Sequence, residues 1–198
     1  MDAQTITTYD RWAEDYDRKT VEFWENFPRG FVDRFVELSD GGSVLDVGSG
    51  PGRDGLLLVE RGLDVTCLDA SAAMVERCRE QGMAAVQGDF AVLPFEDGSF
   101  DAVWAYTSLL HVPKSEVSKP LAEIFRVLRP GRVLGLGMIE GDRELYRTSS
   151  GVGEERWFSF YAKNEIERLL VEGGFEILHF ETFQPSSKTY LNYIARKK

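Results

Sequence analysis

Val44-Leu45-Asp46-Val47-Gly48-Ser49-Gly50-Pro51-Gly52, VLDVGSGPG, is the stretch that decides the fold. Four apolar or strand-compatible residues run into three glycines spaced by two. A short buried strand ending in a glycine-rich turn is the entry to a βα unit. Glycine lets the backbone turn sharply and approach a ligand closely. The following segment, residues 53–61, reads as a helix stopped by Gly62, so the turn opens onto a helix start, where free N–H groups favour a carboxylate or phosphate.

Outward from this unit the alternation continues. Strands are expected at 43–47, 64–68, 84–87, 100–106 and 132–139. Helices are expected at 5–18, 31–38, 72–81, 115–128 and 163–172. Ser71 is placed to cap one helix, and Gly82 to end it. Pro120 predicts a break and restart within 115–128. Residues 175–182 and 190–196 form two more strands around a turn at Pro185-Ser186-Ser187. So short a connection forces an antiparallel pair. The expected fold is an α/β Rossmann-like three-layer sandwich: a seven-stranded, mostly parallel sheet closed by a C-terminal antiparallel hairpin. No repeat or linker divides the chain, so residues 1–198 read as one domain, with 1–40 as a helical lid and 140–162 as an insertion.

The 198 residues carry 33 Asp and Glu against 23 Lys and Arg, a formal net charge of −10. Such a balance repels phosphate backbones, so nucleic acid is not the expected partner. The N-terminus is polar and acidic, and no apolar run approaches the ~20 residues that span a bilayer. Cys67 and Cys78 have no metal-ligand spacing and read as reduced structural thiols, which suits a soluble cytoplasmic protein. A monomer and a homodimer are both compatible with the sequence.

The glycine turn admits two cofactors. Gly50-Pro51-Gly52-Arg53-Asp54-Gly55 also satisfies G-x-G-x-x-G, and Asp69 stands 19 residues beyond Gly50, where a dinucleotide fold keeps its ribose-binding carboxylate. On that reading the chain is an NAD-dependent oxidoreductase using Gly50, Gly52, Gly55 and Asp69. Against it, Asp46 would repel a pyrophosphate but pair with an ammonium. Gly88-Asp89-Phe90 after the third strand suits an adenine edge, and the closing hairpin adds a third difference.

VLDVGSGPG, LDASAAM (68–74), GDF (88–90), LPFEDGSFDAVWAYTSLLHV (93–112) and IFRVLRPGRVLGLG (124–137), in that order, resemble the motifs of class I S-adenosylmethionine-dependent methyltransferases of the small methyltransferase-domain type. The resemblance implies a methyl transfer from S-adenosylmethionine to a small-molecule acceptor, leaving S-adenosylhomocysteine. It implies cofactor contacts from Asp46, Gly48, Ser49 and Gly50 to the methionine part and from Asp69 to the ribose hydroxyls. Ala70 and Met74 would flank adenine, with Gly88, Asp89 and Phe90 at its edge. The backbone of Tyr106 would reach the ammonium, while Tyr9 and Tyr16 belong to an entry helix over the cofactor. Pro51 departs from the glycine pattern by giving up an N–H. A cofactor-binding protein without catalysis stays open beside the enzyme.

His111, just past the fourth strand, is the candidate base, since an ordinary imidazole titrates near neutrality. A loop histidine that merely shapes the rim is the competing reading. In the insertion, Trp157 is a candidate for the acceptor wall, and Arg147 and Arg156 for holding an anion. Phe23, Trp24 and Phe27 read as core packing or as part of that wall.

Overall fold

Ser43–Val47 forms β1 as expected, and the chain returns to its side twice. The computed structural model describes residues 2–149 and 152–198. In chain order the elements are α1 (Ala3–Glu25), α2 (Arg29–Ser39), β1, α3 (Arg53–Val59), β2 (Asp64–Asp69), α4 (Ala72–Glu80), β3 (Ala84–Gln87), β4 (Phe100–Tyr106) and α5 (Ser118–Val127). They are followed by β5 (Leu128–Ile139), β6 (Glu144–Arg147), β7 (Arg156–Ser159), α6 (Lys163–Glu172), β8 (Phe175–Phe183) and β9 (Tyr190–Lys197).

Seven strands form one sheet in the order β3-β2-β1-β4-β5-β9-β8. The pairs from β3 to β5 are parallel, and β9 is antiparallel to both β5 and β8. The order reverses between β1 and β4. Carboxyl ends of strands flanking such a reversal leave a crevice, the usual place for a ligand in this architecture.

Helices flank the sheet, and the core lies between the layers. Trp104 in β4 is fully buried, with Phe31 and Phe35 of α2 against its ring at 5.4 and 4.8 Å. Gly135 makes this possible: a Cβ there would lie 2.5 Å from the indole. No helix among the described residues is long and apolar enough to cross a membrane.

Four details differ from the sequence expectation. α1 runs on to Glu25, with non-helical backbone at Trp12, because Phe23 and Trp24 extend its apolar side. α5 begins only at Ser118, and Pro120 lies in its first turn, where a missing N–H costs nothing; there is no restart. Pairing of β5 begins at Leu128 and slips between Phe100 and Ala102. Residues 141–161 contain an antiparallel ribbon, β6 with β7, carrying Leu145↔Phe158 and Tyr146↔Trp157.

Candidate active site

The glycine turn is folded by its neighbour strand. Gly48 and Ser49 both donate backbone N–H groups to the Leu68 carbonyl, at 2.7 and 3.1 Å. Gly50 N–H donates to Oδ2 of Asp69 at 2.9 Å, and Ser71 N–H to its Oδ1 at 2.9 Å. Asp69 thus shapes the turn and faces the space above it. Burial raises its pKa to about 6.

A cavity of about 540 Å³ sits over this turn. Tyr9, Tyr16, Gly48, Ser49, Gly50, Asp69, Met74, Tyr106 and His111 line it, all expected at the site from the sequence. Trp24, Asp54, Thr107 and Ser108 line it too. Ala70, Gly88, Asp89 and Phe90 lie outside this wall. Phe90 is fully buried, Asp89 Oδ1 accepts from the Ala91 N–H at 2.9 Å, and Gly88 N–H donates to the Asp69 carbonyl at 3.0 Å.

Asp46 is placed differently from the expectation. Its carboxyl is fully buried beneath the turn, 3.3 Å from where a Cβ on Gly55 would be. Both oxygens lack a hydrogen-bond partner among the described residues. Burial, with Asp54, Cys78 and Asp69 nearby, pushes its pKa well above the usual carboxylate range. The carboxyl that reaches the cavity from below is Asp54, held by the Trp104 indole N–H at 2.9 Å and raised by burial to about 7. No motif marks Asp54; its only sequence signal is its place in the first turn of α3.

Beyond Tyr9, Tyr16, Trp24, Thr107 and His111, which line both spaces, a second cavity of about 680 Å³ opens. Thr107 adopts a left-handed conformation at the end of β4 (φ 53°), and its N–H donates to the Gly137 carbonyl at 2.8 Å. That turn carries the chain across the seam between the cavities.

Arg156 lines the second cavity and is only 1% exposed. Its Nη1 donates to the Tyr9 hydroxyl at 2.6 Å. His111 is buried, with Nε2 at 2.8 Å from the same hydroxyl and Nδ1 at 2.6 Å from the Trp157 carbonyl. Burial, then Arg156, lowers its pKa to about 3. The imidazole therefore departs from the near-neutral titration expected of a base.

Trp157 serves through its backbone; its indole N–H donates to Ser159 Oγ at 3.0 Å, away from the cavity wall. Arg147 also stands off the wall, with its guanidinium carbon 5.7 and 5.8 Å from the Phe158 and Phe160 rings.

A reversing parallel sheet, a glycine turn under a carboxylate-lined cavity and a closing antiparallel hairpin define the Rossmann-like methyltransferase class of fold. The methyltransferase domain family matches residues 44–131. The chain is 39% identical over 106 residues to botryococcene C-methyltransferase of Botryococcus braunii, covering 49% of this chain and 27% of that protein. It is 26% identical over 198 residues to the O-methyltransferase resE of Aspergillus sclerotiorum, covering 94% and 74%. A solved structure of Burkholderia thailandensis 1,6-didemethyltoxoflavin-N1-methyltransferase, holding 1,6-didemethyltoxoflavin and S-adenosylhomocysteine, superposes with a TM-score of 0.78 at 21% identity, over 100% of this chain and 92% of that one. The match spans about a quarter of the length of botryococcene C-methyltransferase. Over residues 44–131 and in its fold, the chain is similar to S-adenosylmethionine-dependent methyltransferases.

Proposed function

We propose that the chain binds S-adenosylmethionine over the glycine turn and methylates a small molecule in the adjoining cavity. The observation that carries this is the shared wall of Tyr9, Tyr16, Trp24, Thr107 and His111, where the two cavities meet. The cofactor's charge fits the donor set. Asp54 and Asp69 line the first cavity, and Asp46 lies beneath with both oxygens unpartnered among the described residues. A cation suits such a cluster; a pyrophosphate does not.

When bound, S-adenosylmethionine supplies a methyl carbon on a positively charged sulfur, a good leaving group. The protein then has mainly to position and to exclude water. Asp69 is oriented to accept from ribose hydroxyls, and Gly48 and Gly50 let the backbone come close. Tyr106 and Ser108 border the methionine end. His111 acts by position: neutral and engaged at both nitrogens, it braces the seam and takes no proton.

α1 is the lid. Asp10 accepts from Ser71 Oγ at 2.7 Å and the Ala73 N–H at 3.1 Å. Asp17 pairs with Arg53 at 2.6 Å, and Thr5 Oγ accepts from the Trp157 N–H at 2.9 Å. These contacts tie one helix to α3, α4 and β7. Calorimetry with S-adenosylhomocysteine and with NAD tests the cofactor assignment. Binding of the first alone is expected; binding of NAD alone would overturn it.

A further inference from the structure

A chain of net charge −10 carries more carboxylates than cations. The acceptor-side cavity does the reverse. Lys19, Arg156 and Lys188 line it, and among the described residues no carboxylate does. None of these three is ion-paired to a carboxylate among the described residues, whereas Arg53 in the first cavity is held by Asp17.

Arg156 is the most telling. Among the described residues its guanidinium meets neutral groups: it donates to the Tyr9 hydroxyl and to the Ser149 carbonyl and Oγ at 2.6 and 2.8 Å, and lies 4.7, 5.7 and 5.3 Å from the Tyr9, Tyr16 and Phe158 rings. Its Nε is buried with no hydrogen-bond partner among the described residues. A buried cation without a counter-ion is costly unless an anion arrives to offset it. Burial, with Arg147 and Arg156 close by, holds Lys188 below the usual lysine range, a mark of crowded like charge. The remaining wall is largely aromatic, with Phe23, Trp24, Phe158 and Tyr190. Flat apolar faces suit a ring.

We infer that the acceptor is a planar organic oxyanion, its ring lying among Phe23, Trp24 and Phe158 and its charged oxygen between Lys188 and Arg156. The inference rests on the methyl-transfer reading of the same site. A carboxylate and an ionised acidic hydroxyl share this chemistry. The two cavities are then opposite in sign across one wall, carboxyls toward a cationic cofactor and cations toward an anionic acceptor.

The test is titration calorimetry on the full chain, first with S-adenosylhomocysteine and then, on the saturated protein, with 1-naphthoate, its neutral isostere 1-naphthamide, and 2,4-dinitrophenolate. At least one anion is expected to bind about tenfold or more tighter than the amide, the scale of one charge-assisted contact. Naphthoate preference supports a carboxylate, dinitrophenolate preference an ionised hydroxyl. Lys188→Gln should cut the preference about fivefold. Should that variant fail to fold, Lys19→Gln at the exposed rim is the second, with a smaller reduction expected. Equal binding of anions and amide, or a preference unchanged in the variants, overturns the inference while leaving the cofactor reading intact. Absence of S-adenosylhomocysteine binding would instead sink the reading beneath it.

Discussion

The Tyr9 hydroxyl stands 2.8 Å from Nε2 of His111, although the two residues are 102 apart in the chain. The Trp157 carbonyl beside Nδ1 can only accept, so Nδ1 carries the ring proton. Nε2 is then an acceptor, and Tyr9 must be its donor. Arg156 donates in turn to Tyr9. One directed chain of hydrogen bonds therefore joins the lid helix, the turn after β4 and the β6–β7 ribbon.

Tyr9→Phe keeps the ring and deletes the junction. It leaves a buried imidazole nitrogen and one arm of a buried guanidinium without partners. Such orphans cost about 1–3 kcal/mol. Thermal or urea denaturation should register a loss of that size, and an unchanged midpoint would refute the proposed junction.

His111 makes stability depend on pH in a defined direction. The unfolded ring titrates near 6.5 and the folded one at about 3. Between these values the unfolded chain binds a proton that the folded chain refuses. Stability from this group is present at neutral pH and is lost as pH falls through the window. Asp54 and Asp69, raised to about 7 and about 6, slope the other way. Comparing wild type with His111→Gln isolates the histidine. The stability gap between them should shrink from pH 7 to pH 4; a constant gap would contradict the buried neutral ring.

Asp69→Ala is expected to weaken S-adenosylhomocysteine binding by about 2 kcal/mol, the loss of hydrogen bonds to a charged group. Wild-type affinity should also decline as pH falls below about 6, where the carboxyl gains its proton. Calorimetry across pH 5 to 8 reads both effects.

Gly48 and Gly50 look alike in the motif but not in space. A Cβ on Gly48 would lie 2.3 Å from Ser108 Cβ, at φ +70°. A Cβ on Gly50 would meet nothing nearer than Tyr16 Cε1 at 3.9 Å, at φ +54°. Gly50→Ala should cost about 1 kcal/mol, from backbone strain alone. Gly48→Ala should cost about 2 kcal/mol or more, because strain and overpacking add. Equal losses in chemical denaturation would be inconsistent with this geometry.

Much of the fold was legible because glycines and caps punctuate it. β1, β3, β4 and α6 occupy the expected residues, bounded by Gly48, Gly82 and Gly173-Gly174. The short turn before Tyr190 gave the antiparallel ending by chain length alone. The motif residues Gly48, Gly50 and Asp69 reached the cavity because local turn chemistry places them. What escaped was set by packing across the chain. Asp54 enters the site because Trp104, fifty residues away, offers an indole N–H. Lys188 is drawn to the acceptor side by the hairpin, and Thr107 owes its role to one left-handed dihedral angle. The ribbon within 141–161 was hidden because its strands are only four residues each.

Trp24 stands in the seam, one face of a shared wall. Trp104 is sealed in the core, and neither Trp12 nor Trp157 borders either cavity. Of the four indoles, then, one alone meets both compartments. With Trp12 and Trp157 exchanged for Phe, ultraviolet emission would come from one constant lamp, Trp104, and one responsive lamp, Trp24. Filling either compartment would change the responsive signal, so two separate equilibria become visible through a single intrinsic chromophore.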